Sequence, residues 1–168
     1  MLAVLKLDHR PKRDERITTH CILVSRIFGV KRFFYTGERD PDLEERIEKL
    51  QERWGTGIQV EWRRSWKELF SEWDPCHLTM YGLPFRQKLK ELKSSKRLLI
   101  VVGGPKVKPE IYRLARWNLS VSNQPHSEVA ALAILLWELR GHRFSRFKGK
   151  LRIRPSARGK ILTEQDDP

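Results

Sequence analysis

A chain of 168 residues and 20.0 kDa is the size of one compact domain, which argues against separate cofactor and substrate lobes. Lys and Arg number 34 against 21 Asp and Glu, a net charge of +13 with a pI near 10.1, while 39% hydrophobic residues are enough for a core. An acidic disordered chain is thereby excluded, and a folded domain this basic points to a polyanionic partner, nucleic acid ahead of an anionic membrane surface.

The first expected strand is Leu2 to Leu7. The first residues, MLAVLKLDHR, turn charged too early for a signal peptide, and no apolar run approaches the roughly 20 residues that span a bilayer. A soluble, cytoplasmic protein without membrane contact is the expectation. After the strand comes a turn, Asp8 to Arg16, that contains no glycine, so an ordinary dinucleotide-binding Rossmann motif is ruled out. It is dense in cations instead: Arg10, Lys12, Arg13 and Arg16, followed by Thr18-Thr19-His20. Such side chains can fork onto phosphate and orient a ribose. A solvated turn neutralised by Asp8, Asp14 and Glu15 is the plain alternative.

A strand over Lys31 to Tyr35 precedes a helix opened by Asp40-Pro41, carrying Leu43, Ile47, Leu50 and Trp54 at spacings of four, three and four, and closed by Gly55. Ile58 to Trp62 alternates as a strand, and Ser65 to Glu68 has the pattern of a capping box. Then come a strand over His77 to Tyr81, a helix marked by Phe85, Leu89 and Leu92, a strand over Leu98 to Val102, a helix from Ile111 to Trp117 and a strand over Leu119 to Val121. Ser127 to Arg140 is apolar almost throughout, too long for a strand and bounded by Gly141, so it reads as a buried helix. Cys21 and Cys76 sit in apolar stretches without CxxC spacing and read as buried thiols. His77, His126 and Cys76 lack metal-ligand spacing, so no metal is expected.

Strands alternating with helices predict an α/β fold, a mainly parallel sheet with helices on both faces and ligands at the carboxyl ends of the strands. Three loops in the C-terminal half fit that position. Gly82-Leu83-Pro84 and Gly103-Gly104-Pro105-Lys106-Val107 free backbone edges, although each is equally compatible with a tight turn. Ser122 to Glu128 gathers amide, imidazole, hydroxyl and carboxylate groups that lose about 1 to 3 kcal/mol each if buried without partners. Capping alone uses only Ser127 or Asn123, so a ligand site is the better explanation. From Arg140 onward, nine basic residues (Arg140, Arg143, Arg146, Lys148, Lys150, Arg152, Arg154, Arg158 and Lys160) precede the next acid, Glu164. Leu151, Ile153, Ile161 and Leu162 around Pro155 to Gly159 suggest a hairpin, with 164–168 as a frayed tail.

These loops resemble those of SPOUT methyltransferases, and HRPKRDERITTH, HLTMYG, VVGGPKV and SNQPHSEVAALA resemble the archaeal tRNA (cytidine-56)-2′-O-methyltransferase family over about residues 2 to 140. The resemblance implies a C-terminal deep trefoil knot, S-adenosylmethionine as cofactor, tRNA as substrate, a homodimer, and methylation of a T-loop ribose. It divides the chain into a methyltransferase domain over 1–142 and a basic extension over 143–168. The implied cofactor contacts are Leu78, Thr79, Met80, Tyr81 and Gly82, then Gly103, Gly104, Pro105, Lys106 and Val107, then Val121, Ser122, Asn123, Gln124, Pro125, His126, Ser127 and Glu128. Pro105 and His126 stand where the wider class often has an acid and an asparagine, and Leu23 lies near its usual arginine position. The role at the ribose oxygen then passes to Arg16, with Arg13 next and His20 as an alternative base. Arg10, Lys12, Arg143, Arg146, Lys148, Lys150, Arg152 and Arg154 are the expected RNA contacts. A non-catalytic RNA-binding module and a base methyltransferase on the same scaffold are the alternative functions.

Overall fold

The computed structural model describes residues 1–104 and 106–164, so Pro105 and the end of the expected frayed tail lie outside the described residues. Eight strands and six helices follow in the order β1 (Leu2–His9), α1 (Pro11–Ile27), β2 (Arg32–Gly37), α2 (Pro41–Trp54), β3 (Gln59–Trp62), α3 (Lys67–Glu72), β4 (Asp74–Pro84), α4 (Leu89–Ser94), β5 (Leu98–Val102), α5 (Pro109–Leu114), β6 (Trp117–Ser120), α6 (Glu128–Leu139), β7 (Leu151–Arg154) and β8 (Ile161–Glu164). A 3₁₀ turn over Phe85–Lys88 leads into α4. The first six strands form one sheet in the order β3-β2-β1-β5-β4-β6, every pair parallel, while β7 and β8 pair antiparallel as a separate hairpin.

Side-chain alternation sorts the sheet into two cores. Val4, Ile100 and Val102 face a layer that includes Cys21 and Ile22 of α1, Leu43 and Ile47 of α2, Leu92 of α4 and Leu132, Leu135 and Leu136 of α6. Ala3, Leu5, Leu99 and Val101 face Trp66, Leu69, Trp73 and Ile111 on the other side. Both cysteines are buried and free, and burial pushes each thiol up to about 12.

Several expected boundaries shift. Most of the cationic turn after β1 is the start of α1: Pro11 occupies its first turn and Arg13, Asp14 and Arg16 are helical. Trp117 does not close a helix but begins β6, and α5 ends at Leu114. The Ser65–Glu68 capping box does not form in the expected register. Trp66 takes the N-cap position of α3, and the Ser65 hydroxyl accepts from the Lys67 N–H at 3.2 Å. The Asp40 cap is as expected, with Oδ1 accepting from Leu43 N–H at 2.9 Å.

The segment after α6 packs across the amino-terminal end of the sheet, where α1 and α2 finish and β2 and β3 begin. Ser145 N–H donates to Ile27 O at 2.8 Å, Phe144 lies 5.1 Å from the Phe28 ring, and the Arg26 guanidinium stacks 3.8 Å over Phe147. Arg26 is itself buried and donates to the carbonyls of Trp54 and Gly55. One side chain therefore ties α1, the end of α2 and the C-terminal segment together. Arg26→Ala should cost about 2 to 3 kcal/mol in chemical denaturation, since it removes charged hydrogen bonds and ring stacking together. The same variant should speed tryptic cleavage within residues 143–164; unchanged stability and cleavage would show that the segment is held by other interactions.

Candidate active site

At the carboxyl end of the sheet, the ends of β4 and β5 and the start of α6 surround a hollow of about 260 Å³. Leu78, Met80, Val102, Val107 and Ala131 give it an apolar lining, and Thr79, Tyr81, Tyr112, His77, His126 and Glu128 supply polar groups. Gly103 and Gly104 form one wall, and a Cβ on Gly104 would meet nothing within 4 Å, so the backbone there is open to a ligand.

The polar floor is tightly specified. The Asn118 amide donates to Tyr112 O at 2.8 Å, which leaves its Oδ1 to accept from His77 Nδ1 at 3.0 Å. His77 lies edge-on to the Tyr112 ring, and Thr79 Oγ1 is 3.2 Å from the Tyr112 hydroxyl. Burial pushes the His77 pKa below its ordinary value, with Asn118 opposing, so the imidazole is neutral at pH 7. Behind the hollow, the loop after β6 is bound to the end of β4: Asn123 Nδ2 donates to Met80 O at 2.6 Å and Gly82 O at 3.0 Å. A Cβ on Gly82 would come within 2.5 Å of Leu119 N, so this crossing of backbones needs glycine. Ser127 caps α6 by accepting from Val129 N–H at 3.2 Å.

A second hollow of about 430 Å³ adjoins the first, sharing Gly104, and is lined by Lys6, Asp8, His9, Arg10, Arg13, Asp14, Gly37, Glu38 and Lys106. Its shape is set by a buried polar chain. His9 Nδ1 lies 2.8 Å from Thr18 Oγ1, and its Nε2 lies 3.0 Å from Oδ2 of Asp40, whose other oxygen, Oδ1, caps α2. This chain fixes β1, α1 and α2 together. Asp8 beside it adopts φ +51°, a left-handed conformation held by its N–H bond to Thr36 Oγ1 at 3.2 Å.

Of the expected cofactor contacts, Leu78, Thr79, Met80, Tyr81, Gly103, Gly104, Val107, His126 and Glu128 line the first hollow, and Lys106 lines the second. Gly82, Asn123 and Ser127 support it from behind, while Val121, Ser122, Gln124 and Pro125 do not line it. Arg10 and Arg13 line the second hollow; Lys12, Arg16 and His20 are exposed on α1 away from that lining. Arg143, Arg146, Lys148, Lys150, Arg152 and Arg154 are all exposed, on a segment anchored at the opposite end of the sheet. Residue patterns did not single out Tyr112, Val102, Ala131 or Lys6 for the site. The only signal for Lys6 is a lone charge within an apolar strand. Among the described residues, no group of three or more His, Cys, Asp or Glu could hold a metal ion, and no helix is long and apolar enough to cross a membrane.

Among solved structures, the fold is similar to the TrmH/SpoU tRNA modifying enzyme of A. aeolicus, with a TM-score of 0.60 at 14% identity, covering 84% of this chain and 74% of that one. It is also similar to the SpoU methyltransferase AviRb from Streptomyces viridochromogenes in complex with AdoMet, with a TM-score of 0.61 at 9% identity, covering 84% and 57%. At such identities the likeness is one of fold, that of the SPOUT methyltransferases. Sequence relatives are much nearer. The chain is 46% identical to the tRNA (cytidine(56)-2′-O)-methyltransferase of Thermococcus kodakarensis, covering 98% of this chain and 97% of the relative. It is 46% identical to that of Archaeoglobus fulgidus, covering 96% and 98%. The family model described as tRNA ribose 2′-O-methyltransferase, aTrm56, matches residues 54–163. With that match and relatives of this identity along nearly its whole length, the chain belongs to the tRNA (cytidine(56)-2′-O)-methyltransferase family.

Proposed function

We propose that this protein methylates the ribose 2′-hydroxyl of cytidine 56 in the T-loop of tRNA, with S-adenosylmethionine as methyl donor. The observation that carries this reading is the pair of adjoining hollows meeting at Gly104, one largely apolar with a single carboxylate and one polar, where Lys6, Arg10, Arg13 and Lys106 stand beside Asp8, Asp14 and Glu38. The first fits the cofactor: Leu78, Met80, Val102 and Val107 suit a purine face, the open Gly104 backbone suits a polar edge, and Glu128 suits a cation. When bound, S-adenosylmethionine supplies an electrophilic methyl group on a sulfonium sulfur.

The residues of this chain then have to bring a ribose into line with that methyl and keep it there, which is where most of the rate gain of such a displacement arises. Arg13 and Arg10 line the second hollow and suit phosphate and ribose oxygens. Arg16 is the leading candidate to act at the 2′-oxygen, with Arg13 next and His20 as the alternative. A guanidinium stays protonated, so its part is to donate to the oxygen as negative charge develops. Arg16 and His20 are exposed on α1, which favours their acting across an interface between subunits. A homodimer suits this arrangement: α6 exposes Ile134 and the segment after it exposes Phe144 and Leu162, while the rest of α6 fills the core. A trefoil knot is the threading that goes with this family reading. We assign 1–142 to the methyltransferase domain and 143–168 to an RNA-binding extension, acting on tRNA in the cytoplasm.

Incubation with labelled S-adenosylmethionine and an unmodified tRNA transcript should give one methyl group, mapping to nucleotide 56 and absent from a transcript with 2′-deoxycytidine there. Methyl incorporation into the deoxy transcript would overturn ribose chemistry in favour of a base, and cofactor binding with no transfer at all would favour a non-catalytic module. Because Lys148 to Arg154 lie far from the hollows, the extension should contribute affinity and not chemistry. Charge reversal at Lys148, Lys150, Arg152 and Arg154 should weaken tRNA binding and lower the slope of log Kd against log salt by roughly 0.7 to 0.9 for each phosphate no longer neutralised. An unchanged slope would show that this surface does not touch RNA.

A further inference from the structure

Side chains two apart on a strand share a face, so Lys6 points with Val4 into the layer of α1 and α6. It is 2% exposed. An ammonium buried there costs several kcal/mol unless paired. Its partner is Glu128, in the first turn of α6, with Nζ 3.2 Å from Oε2. Glu128 lines the cofactor hollow, Lys6 lines the second hollow and Gly104 lines both, so the pair stands in the wall between them. A methyl group passing from one hollow to the other must pass this wall. Glu128 Oε2 is buried without an aligned hydrogen-bond donor. Lys6 Nζ lies at ion-pair distance from it and also donates to Leu7 O at 3.3 Å. Oε2 is thus turned to Lys6 and closed off, and the part of the carboxylate that stays exposed, with the side chain 19% accessible, is what lines the hollow where an acceptor hydroxyl has to sit.

We propose that Glu128 accepts the proton of the target 2′-hydroxyl, and that Lys6 is the positioning residue that holds the carboxylate in the wall. This rests on the ribose-methylation reading above. The 2′-oxygen forms its bond to the methyl carbon while the carbon–sulfur bond breaks and leaves its electron pair on sulfur. The hydroxyl proton passes to Glu128. A cationic sulfonium and an anionic carboxylate are thereby replaced by a neutral thioether and a neutral carboxylic acid, so the step discharges two opposite charges at the wall between the hollows. The proton leaves through the edge of Glu128 that remains 19% exposed. The arginines of α1 keep their protons and stabilise the oxygen; Glu128 supplies the destination that they lack.

The surroundings favour a carboxylate more basic than usual. Burial pushes the Glu128 pKa upward, Lys6 pulls it down and Asp14 adds to the rise, for a net increase. The groups facing it are Lys6 from β1 and Asp14 and Cys21 from α1, with His126 on the loop leading into α6. The acting form is the anion, so activity should fall as pH drops through the raised value. Removing Lys6 takes away the one influence that lowers it, and the acid limb should then move to higher pH.

The test uses full-length protein with saturating cofactor and tRNA, across pH 5 to 9. Glu128→Gln should lower kcat by about 100-fold or more and abolish the acid limb, with tRNA affinity retained at a temperature where the variant is folded. Glu128→Asp should keep the limb with partial activity, and Lys6→Met should move it upward. Independently of turnover, the carboxyl carbon resonance that disappears in Glu128→Gln should titrate above the ordinary glutamate range in the wild-type protein, and higher still in Lys6→Met. That reading stands even where Glu128→Gln loses activity through misfolding. A Glu128→Gln enzyme within about 3-fold of wild type, or a Glu128 resonance that Lys6→Met leaves in place, would overturn the assignment alone. Wild-type protein inactive on tRNA would overturn the ribose-methylation reading beneath it.

Discussion

An ammonium buried in the central strand of a parallel sheet must find a carboxylate, and that requirement fixes where the last helix begins. Lys6 and Glu128 are separated by most of the chain, yet their 3.2 Å approach ties the end of β1 to the first turn of α6. Removing either partner would leave the other buried and unpaired, at a cost of about 3 to 5 kcal/mol. With α6 held there, the loop before it meets the end of β4, and the first hollow lies between the ends of β4 and β5 and the start of α6. Asn123, bound to the carbonyls of Met80 and Gly82, holds that loop from behind.

The same economy separates chemistry from recognition. At the carboxyl end of the sheet, buried polar chains have defined partners: His77 with Asn118, His9 between Thr18 and Asp40. Such satisfied networks keep the walls rigid, while Glu128 and the Gly104 backbone line the hollows. At the amino-terminal end, Arg26 anchors a segment whose own cations are all turned to solvent. A polyanion as long as tRNA is suited to two separated basic surfaces, one selecting the nucleotide and one supplying sequence-independent attraction.

Much of the architecture was legible because apolar alternation and helical stripes differ in period. All six strands of the main sheet appear, as do the buried cysteines and the apolar α6. Errors arose where charge hid periodicity or spacing imitated it. The first turns of α1 hold Lys12, Arg13, Asp14, Glu15 and Arg16, with no apolar stripe until Ile17, so a helix looked like a loop despite Pro11 at its start. Ile111, Leu114 and Trp117 fall at intervals of three and mimic a helical face, although the helix stops at Leu114 and Trp117 belongs to β6. The site divides similarly. Its loops were recognisable from their residues, and nine of the residues named from them line the hollow. Tyr112 and Lys6 were not, because their roles come from partners brought close only by folding: His77 and Thr79 for one, Glu128 for the other.

Two hollows share one wall, and in the proposed reaction the methyl group crosses it beside Glu128. A crystal structure with S-adenosylmethionine bound measures this directly. The purine should lie against Leu78 and Val107, with the sulfonium methyl at the Lys6–Glu128 wall and directed into the hollow lined by Arg10 and Arg13. A cofactor lodged in another part of the molecule, or one whose methyl group faces away from that wall, would contradict it.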